Sequence, residues 1–371
     1  MALFSDPSVG IADPLMARAF SLAERGRGTT SPNPLVGCVV ARDGRIVGEG
    51  FHERAGGPHA EVVALDRAGE DARGADVSVT LEPCNHHGRT PPCVGRLLDA
   101  GVASVTIGMP DPNTEVSGGG AAALESAGVR VSWAADPTPF EAQNEAWLHR
   151  LRTGRPFVTV KVALTLDARL ALATGERSRI TGAGGLEVTR RLRARSSAVA
   201  VGARTLAIDD PALTVRGEDD APHVRQPVRV VLARMSVPEP DARLFSDGLG
   251  PVLVLMAEDA PARAAAVLES RGARVVRYPA EHGVGAAFRA LAAEGFDDVL
   301  VESGPSLFSA IWEQRAIDEL VVVTAGGIAG LGGPVLGALA SDGVAGALVP
   351  RMRAVESAVV GDDAVTLWRP L

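Results

Sequence analysis

Four residues of this chain have the types and spacing to build a hydrolytic metal centre. His59 and Glu61 stand in GGPHAEVVAL, and Cys84 and Cys93 frame the polar loop of TLEPCNHHGRTPPC. One imidazole and two thiolates supply three tetrahedral zinc ligands and leave a fourth position for water. Zinc bound in this way lowers the pKa of that water, so hydroxide is available near neutral pH. Glu61 lies two residues beyond His59, points elsewhere than the ligand, and suits a proton shuttle. Pro91-Pro92 marks a helix start just before Cys93. The positive end of a helix there favours the thiolate.

Taken singly, His59 reads as a satisfied histidine and the cysteines as core residues. Taken together, H-x-E, then P-C, then a second Cys is the order of the zinc deaminases, in which the glutamate is the general acid/base. Their usual P-C-x-x-C is opened here, because eight residues separate Cys84 from Cys93. The inserted residues offer His86, His87 and Arg89, donors suited to a phosphate or an oxygen-rich substrate, or else a solvated loop. Asn33, in SPNP, reads first as a turn former. Cys38 lies inside an apolar run, away from any motif, and reads as core.

These residues need rigid elements behind them. Residues 14–25 carry apolar positions at helical spacing. Two apolar runs, 34–41 and 45–52, are joined by Asp43-Gly44, a strong hairpin signal. The pattern then predicts a helix from about His59, a strand over 76–82 and a helix from about Pro92. A strand over 103–109, a helix near 119–127 and a strand over 129–133 follow. The basic, turn-forming stretch RLRTGRP (150–156) reads as a boundary. A second series follows, with strands over 157–164, 197–202, 227–233, 251–256, 273–278, 297–303 and 318–325 and a helix near 184–194. Both halves alternate as layered α/β units, the second around a mostly parallel sheet.

Bulk properties agree with two globular domains: 371 residues, 46% hydrophobic, 22% charged. The net charge of −8 and the single tyrosine disfavour a nucleic-acid partner. No stretch is apolar enough for a membrane span, and the start of the chain lacks the pattern of a signal peptide. Three cysteines give no full disulfide framework. A cytoplasmic enzyme acting on a small molecule is the reading that results; a non-catalytic zinc module is its bland alternative.

TSPNPLVGCVV, GGPHAEVVAL, TLEPCNHHGRTPPC and DPNTEVSGGG closely resemble the bifunctional riboflavin-biosynthesis deaminase/reductase family. RTGRPFVTVKVALTLDARLA, VGARTLAIDDPALTVR and VESGPSL resemble its second domain. The resemblance implies a cytidine-deaminase-like three-layer α/β/α domain over 1–150 and a dihydrofolate-reductase-like α/β domain over 151–371. It implies one zinc in the first domain, on His59, Cys84 and Cys93, with Glu61 as proton shuttle. Asn33, His52, His86 and Arg89 would hold a phosphorylated pyrimidine. The second domain would take NADPH, through Ala163, Thr205, Asp209 and the run Gly304, Pro305, Ser306 and Leu307. Arg193, Leu213, Arg216 and Glu302 would contact its substrate, with Lys161 and Asp209 nearest the reacting sugar. The family acts as a homo-oligomer, dimer or tetramer.

From its residues alone, the stretch VESGPSLFSA has the form of a phosphate cradle, a strand, a glycine turn and a Pro-started helix. It reads equally as an ordinary strand–helix joint. GGIAGLGG (326–333) is mis-spaced for a dinucleotide fingerprint and reads as a loop. Three departures from the family pattern concern the second domain: Ala168 stands where Gly is usual, Arg179 where Trp is usual, and 324–330 lacks the usual Lys. They leave two readings of that half open, a working reductase or a domain of altered or structural role. The arginines at 177 and 179 are the sequence's candidates for a 2′-phosphate contact.

Overall fold

The computed structural model describes residues 3, 10–85, 92–112, 119–173, 175–217, 219–234, 238–331, 333–335 and 351–371. The chain divides into two compact units, Met1–Arg152 and Thr153–Leu371.

In the first unit, Asp13 caps helix α1 (Pro14–Glu24) by accepting from the Leu15 amide at 2.9 Å. Strands β1 (Gly37–Arg42) and β2 (Arg45–Phe51) form the hairpin. Asp43 and Gly44 both adopt left-handed backbone, as that tight turn requires. Helix α2 (Ala60–Ala68), strand β3 (Asp76–Val79), helix α3 (Cys93–Ala100), strand β4 (Ser104–Ile107), helix α4 (Gly120–Ser126) and strand β5 (Arg130–Trp133) follow. The sheet order is β2-β1-β3-β4-β5, antiparallel across β1 and parallel from β3 to β5.

Strand alternation sends Cys38 and Val40 into one core, with Ala64 of α2, Leu97 of α3 and Leu124 of α4. Val39 faces the opposite core, with Phe20 of α1 and with Phe140, Trp147 and Leu148. Those last three sit on helices α5 (Thr138–Gln143) and α6 (Glu145–Thr153), and the result is three layers, α/β/α. The stretch 150–156 is not a turn throughout, because α6 runs on to Thr153. Glu145 in its first turn and Arg150 and Arg152 in its last complement the helix dipole.

The second unit is a nine-stranded sheet of order β10-β9-β8-β7-β11-β6-β12-β14-β13. Its strands are β6 (Phe157–Leu164), β7 (Ala198–Gly202), β8 (Val228–Ala233), β9 (Val252–Ala257), β10 (Arg274–Tyr278), β11 (Asp298–Glu302), β12 (Glu319–Thr324), β13 (Met352–Val360) and β14 (Asp363–Pro370). Pairing is parallel from β10 through β12, and only β14 and β13 run antiparallel. The helices are α7 (Ala183–Arg195), α8 (Ala203–Asp209), α9 (Ala262–Ser270), α10 (Gly283–Ala293) and α11 (Pro305–Glu313). Val158, Val160 and Val162 of β6 pack with Phe288 and Leu291 of α10 and Ile311 of α11. Parallel strands buried on both faces read as continuous apolar runs, as β7 and β9 do.

Candidate active sites

The first site is held by the starts of two helices. His59 occupies the cap position of α2 with extended backbone and makes no side-chain cap bond, so its ring is free to turn toward the cysteines. Helix α2 lies so close to β2 that a side chain at Gly48 or Gly50 would collide with the carbonyls of Ala64 or Ala60. That close seat fixes where His59 and Glu61 emerge. Cys93 is the first residue of α3, and its amide donates to Cys84 Sγ at 3.3 Å. His59 Nδ1 lies 3.2 Å from Cys93 Sγ and 3.5 Å from Cys84 Sγ. All three donor atoms fall within 4.8 Å of one another. Ligands bonded tetrahedrally at ~2.0–2.3 Å stand roughly 3.5–3.8 Å apart, so this soft and borderline donor set fits zinc.

Electrostatics favour a ligand role. The Cys84 thiol is pushed down to about 4, chiefly by its hydrogen bond with Cys93, aided by His59 and the Cys93 amide. The same contact, together with burial, pushes the Cys93 thiol up. Burial raises the Glu61 carboxyl above its usual range, against the attraction of His59.

Around these groups lies a pocket of about 220 Å³, lined by Asn33, His52, His59, Glu61 and Cys84, and also by Glu82, Asp111, Trp147, Arg150 and Leu151. The Pro58 carbonyl can only accept, so the 2.9 Å contact places the His52 proton on Nδ1. Nε2 then accepts from the Asn33 side-chain amide at 3.0 Å. Burial lowers the His52 pKa, in keeping with a neutral ring. This chain of bonds leaves the Asn33 side-chain oxygen available to a donor in the pocket. His86 and Arg89 lie outside the described residues.

The second unit brings another group together. Lys161 on β6 pairs in register with Glu302 at the end of β11. Arg193 of α7 reaches both Glu302 oxygens at 2.6 and 2.9 Å and the Thr214 carbonyl at 2.9 Å. Burial pushes Lys161 down and Arg193 adds to this, while Glu302 and Asp363 oppose it. Burial works against ionisation of Glu302 as well, yet Arg193 and Lys161 hold its carboxyl below the usual range. Asp209, at the end of α8, is raised by burial and by Glu302, against Arg177. Arg216 donates to the Asp220 carbonyl at 2.7 Å. Leu213 has left-handed backbone and is fully buried.

Beside this cluster runs a cleft of about 540 Å³, lined by Thr205, Gly304, Pro305, Ser306 and Leu307, with Arg204, Arg234 and Tyr278 further along. Gly304 caps α11 and Pro305 opens it. Ala163 faces its β12 neighbour Val323 in the ladder and does not line this cleft; nor do Lys161, Arg193, Asp209 and Glu302.

A family model for the RibD C-terminal domain matches residues 156–366, and one for the zinc-binding region of cytidine and deoxycytidylate deaminases matches 11–109. The riboflavin biosynthesis protein RibD of Escherichia coli is 41% identical, over 84% of this chain and 86% of its own length. That of Aquifex aeolicus is 36% identical, over 95% and 97%. The chain belongs to the RibD family. Acinetobacter baumannii RibD superposes with a TM-score of 0.85 at 35% identity, covering 96% of this chain and 98% of its own. A Thermotoga maritima deaminase/reductase gives 0.82 with the same coverage.

As a RibD-family chain, the protein is a bifunctional deaminase and reductase of riboflavin biosynthesis, with zinc and NADPH as cofactors. Its fold is a cytidine-deaminase-like domain followed by a dihydrofolate-reductase-like one. Among the described residues no helix is long and apolar enough to cross a membrane. The RibD-type pocket of the first unit also draws on Glu82, Asp111, Trp147, Arg150 and Leu151, which the sequence reading did not single out. Glu82 sits in the Leu-Glu-Pro-Cys motif and accepts from the amides of Asp111 at 3.4 Å and Ala121 at 3.1 Å. Its place before Pro83-Cys84 was the one available signal. Nothing local marks the α6 residues, which reach the pocket only through the fold.

Proposed function

We propose that residues 1–150 deaminate 2,5-diamino-6-ribosylamino-4(3H)-pyrimidinone 5′-phosphate by hydrolysis. Residues 151–371 then reduce the ribosyl chain of 5-amino-6-(5-phosphoribosylamino)uracil with NADPH. The observation that carries this is the convergence of His59, Cys84 and Cys93 within 4.8 Å beside a buried glutamate. His59, Cys84 and Cys93 would hold zinc, which supplies a Lewis acid that makes hydroxide available near neutral pH. Glu61, with its raised carboxyl, takes the proton of the attacking water and delivers it to the departing ammonia. Asn33, fixed by His52, accepts from a ring or amino N–H of the pyrimidine, and His86 and Arg89 hold its ribose phosphate.

In the second domain NADPH supplies the hydride. Thr205 and the Gly304–Leu307 turn hold its phosphates at a helix start. Lys161, kept beside Glu302, carries a proton to the reacting sugar, and Asp209 lies close enough to affect its charge network. Arg193 and Arg216 hold the phosphate end. The intact Lys161–Glu302–Arg193 cluster supports a working reductase over a structural relic. The family resemblance further supports a cytoplasmic homo-oligomer, dimer or tetramer, which mass measurement in solution tests.

A coupled assay on the diaminopyrimidinone phosphate tests the reading. Ammonia should appear without NADPH, and NADPH should be consumed only after deamination. Folded, zinc-loaded protein that releases no ammonia, or that never oxidises NADPH on the deaminated product, would sink it.

A further inference from the structure

The loop that carries Asn33 is poor in backbone donors. It runs Ser31-Pro32-Asn33-Pro34-Leu35, shortly before β1 begins at Gly37. Pro32 and Pro34 bring no amide N–H. The Asn33 amide closes a turn on the Thr30 carbonyl at 2.7 Å, and the Val36 carbonyl accepts from the His52 amide at 2.9 Å. Between these two ties the loop is held by side chains from the last two helices of the same unit.

Asn144 makes the main tie. It stands at the joint between α5 and α6 and is 2% exposed. Its own backbone is already satisfied, because its amide donates to the Phe140 carbonyl at 3.1 Å and its carbonyl accepts from the Leu148 amide at 2.9 Å. The side chain is therefore spared for another segment. Its Oδ1 accepts from the Leu35 amide at 2.7 Å, and its Nδ2 donates to the Leu35 carbonyl at 3.0 Å and to the Phe140 carbonyl at 3.4 Å. The Leu35 amide can only donate and its carbonyl only accept, which fixes the orientation of the Asn144 side chain. One planar group thus pairs both backbone groups of buried Leu35, as a neighbouring strand would. Arg150, in the last turn of α6, donates to the Pro32 carbonyl at 2.9 Å. Asn33 lies between the two tied residues. Phe140, Trp147 and Leu148 are buried in one core with Phe20 and Val39, so the corner that makes both ties is itself rigid.

We propose that Asn144, assisted by Arg150, is a positioning residue of the deaminase. Asn144 does not line the pocket, whereas Asn33 does. It acts by fixing the Asn33 side-chain oxygen where a ring or amino N–H of the pyrimidine meets it. The inference rests on the reading of Asn33 as a pyrimidine contact. It extends the hydrolytic site beyond the zinc motif to the α5–α6 corner of its unit.

A double-mutant cycle on ammonia release separates positioning from general support of the fold. Asn144→Ala and Asn33→Ala should each raise the KM for the diaminopyrimidinone phosphate roughly 10- to 100-fold, the scale of losing hydrogen bonds to buried groups. The kcat should stay within about threefold, as for lost uniform binding. In the Asn33→Ala background, Asn144→Ala should add no more than about twofold. Metal analysis should find zinc undiminished in all three variants. Arg150→Met should depend on Asn33 in the same way at a smaller size, about 3- to 10-fold. Its side chain is only half-buried, so it decides the matter if Asn144→Ala fails to load zinc. Losses that multiply in the double variant overturn the proposal. So does a wild-type KM in Asn144→Ala, or a fall in kcat at unchanged KM. A wild-type KM in Asn33→Ala overturns the pyrimidine contact and the proposal with it. Wild-type protein that releases no ammonia overturns the deaminase reading itself, an outcome distinct from both.

Discussion

The two sites of this chain are built on opposite plans. In the first unit His59 caps α2, Cys93 opens α3 and Cys84 lies in the segment after β3, and the three donor atoms close within 4.8 Å. The second unit spreads its groups over the carboxyl edge of a sheet, and Lys161 and Glu302 meet although 140 positions separate them in the chain. The first pocket is about 220 Å³ and the second cleft about 540 Å³. A metal centre needs few groups at short range, so a short motif can carry it. A dinucleotide site needs many weak contacts along an extended ligand, so it depends on strand order.

This contrast predicts that damage stays local to each unit. Glu61→Gln should lower deamination about 10²–10⁴-fold, the usual worth of a general acid/base. Metal analysis should still find zinc, and NADPH oxidation on the deaminated intermediate should be unchanged. A parallel loss of both activities would break the contrast. The Arg193–Glu302 pair is the structural counterpart in the second unit, with both side chains 18% exposed. Arg193→Met removes the bidentate partner of Glu302 and leaves the buried carboxylate with Lys161 alone to offset its charge. It should cost about 3 kcal/mol, the low end for breaking a buried pair, read as a lower unfolding midpoint of the second unit alone.

Smaller effects sharpen the picture of the loops beside the reductase cluster. Ala168 has left-handed backbone, φ +59°, where the family usually has Gly. That conformation costs an L-residue ~1–2 kcal/mol, and glycine loses ~0.5–1 kcal/mol in chain entropy. Ala168→Gly should therefore stabilise the second unit by about 0.5 kcal/mol, measured by denaturant titration. The smallest effect concerns Asp167. Its carboxylate accepts from Thr165, from the Ala329 amide at 3.0 Å and from the Gly330 amide at 2.8 Å. These bonds pull its pKa down to about 2 from 3.8. A depressed folded pKa means the tie is complete above 3.8 and is lost as pH falls through about 2. Amide exchange at Ala329 and Gly330, corrected for intrinsic rates, should accelerate across that window, and Asp167→Ala should abolish the dependence.

Legibility in the sequence followed the same division. β6 matches its apolar run over Phe157–Leu164, and the Asp43-Gly44 hairpin follows from turn chemistry. Strands β13 and β14 escaped notice. β13 is an edge strand, largely exposed, with no sustained apolar alternation to reveal it. Helices α5 and α6 were missed for a different reason. Their buried residues Phe140, Trp147 and Leu148 are few, and the basic turn of α6 resembles a linker.

By itself the sequence determined the metal chemistry, because His59, Glu61, Cys84 and Cys93 declare their roles by type and order. It determined the alternation of both units for the same reason, since periodicity is a local property. Only the tertiary structure decided which distant residues share a site. Trp147 and Arg150 join the zinc pocket because α6 packs there, and Arg234 stands apart from Lys161 because β8 lies three strands from β6. Strand order arises from packing across the whole sheet, and no short stretch of sequence encodes it.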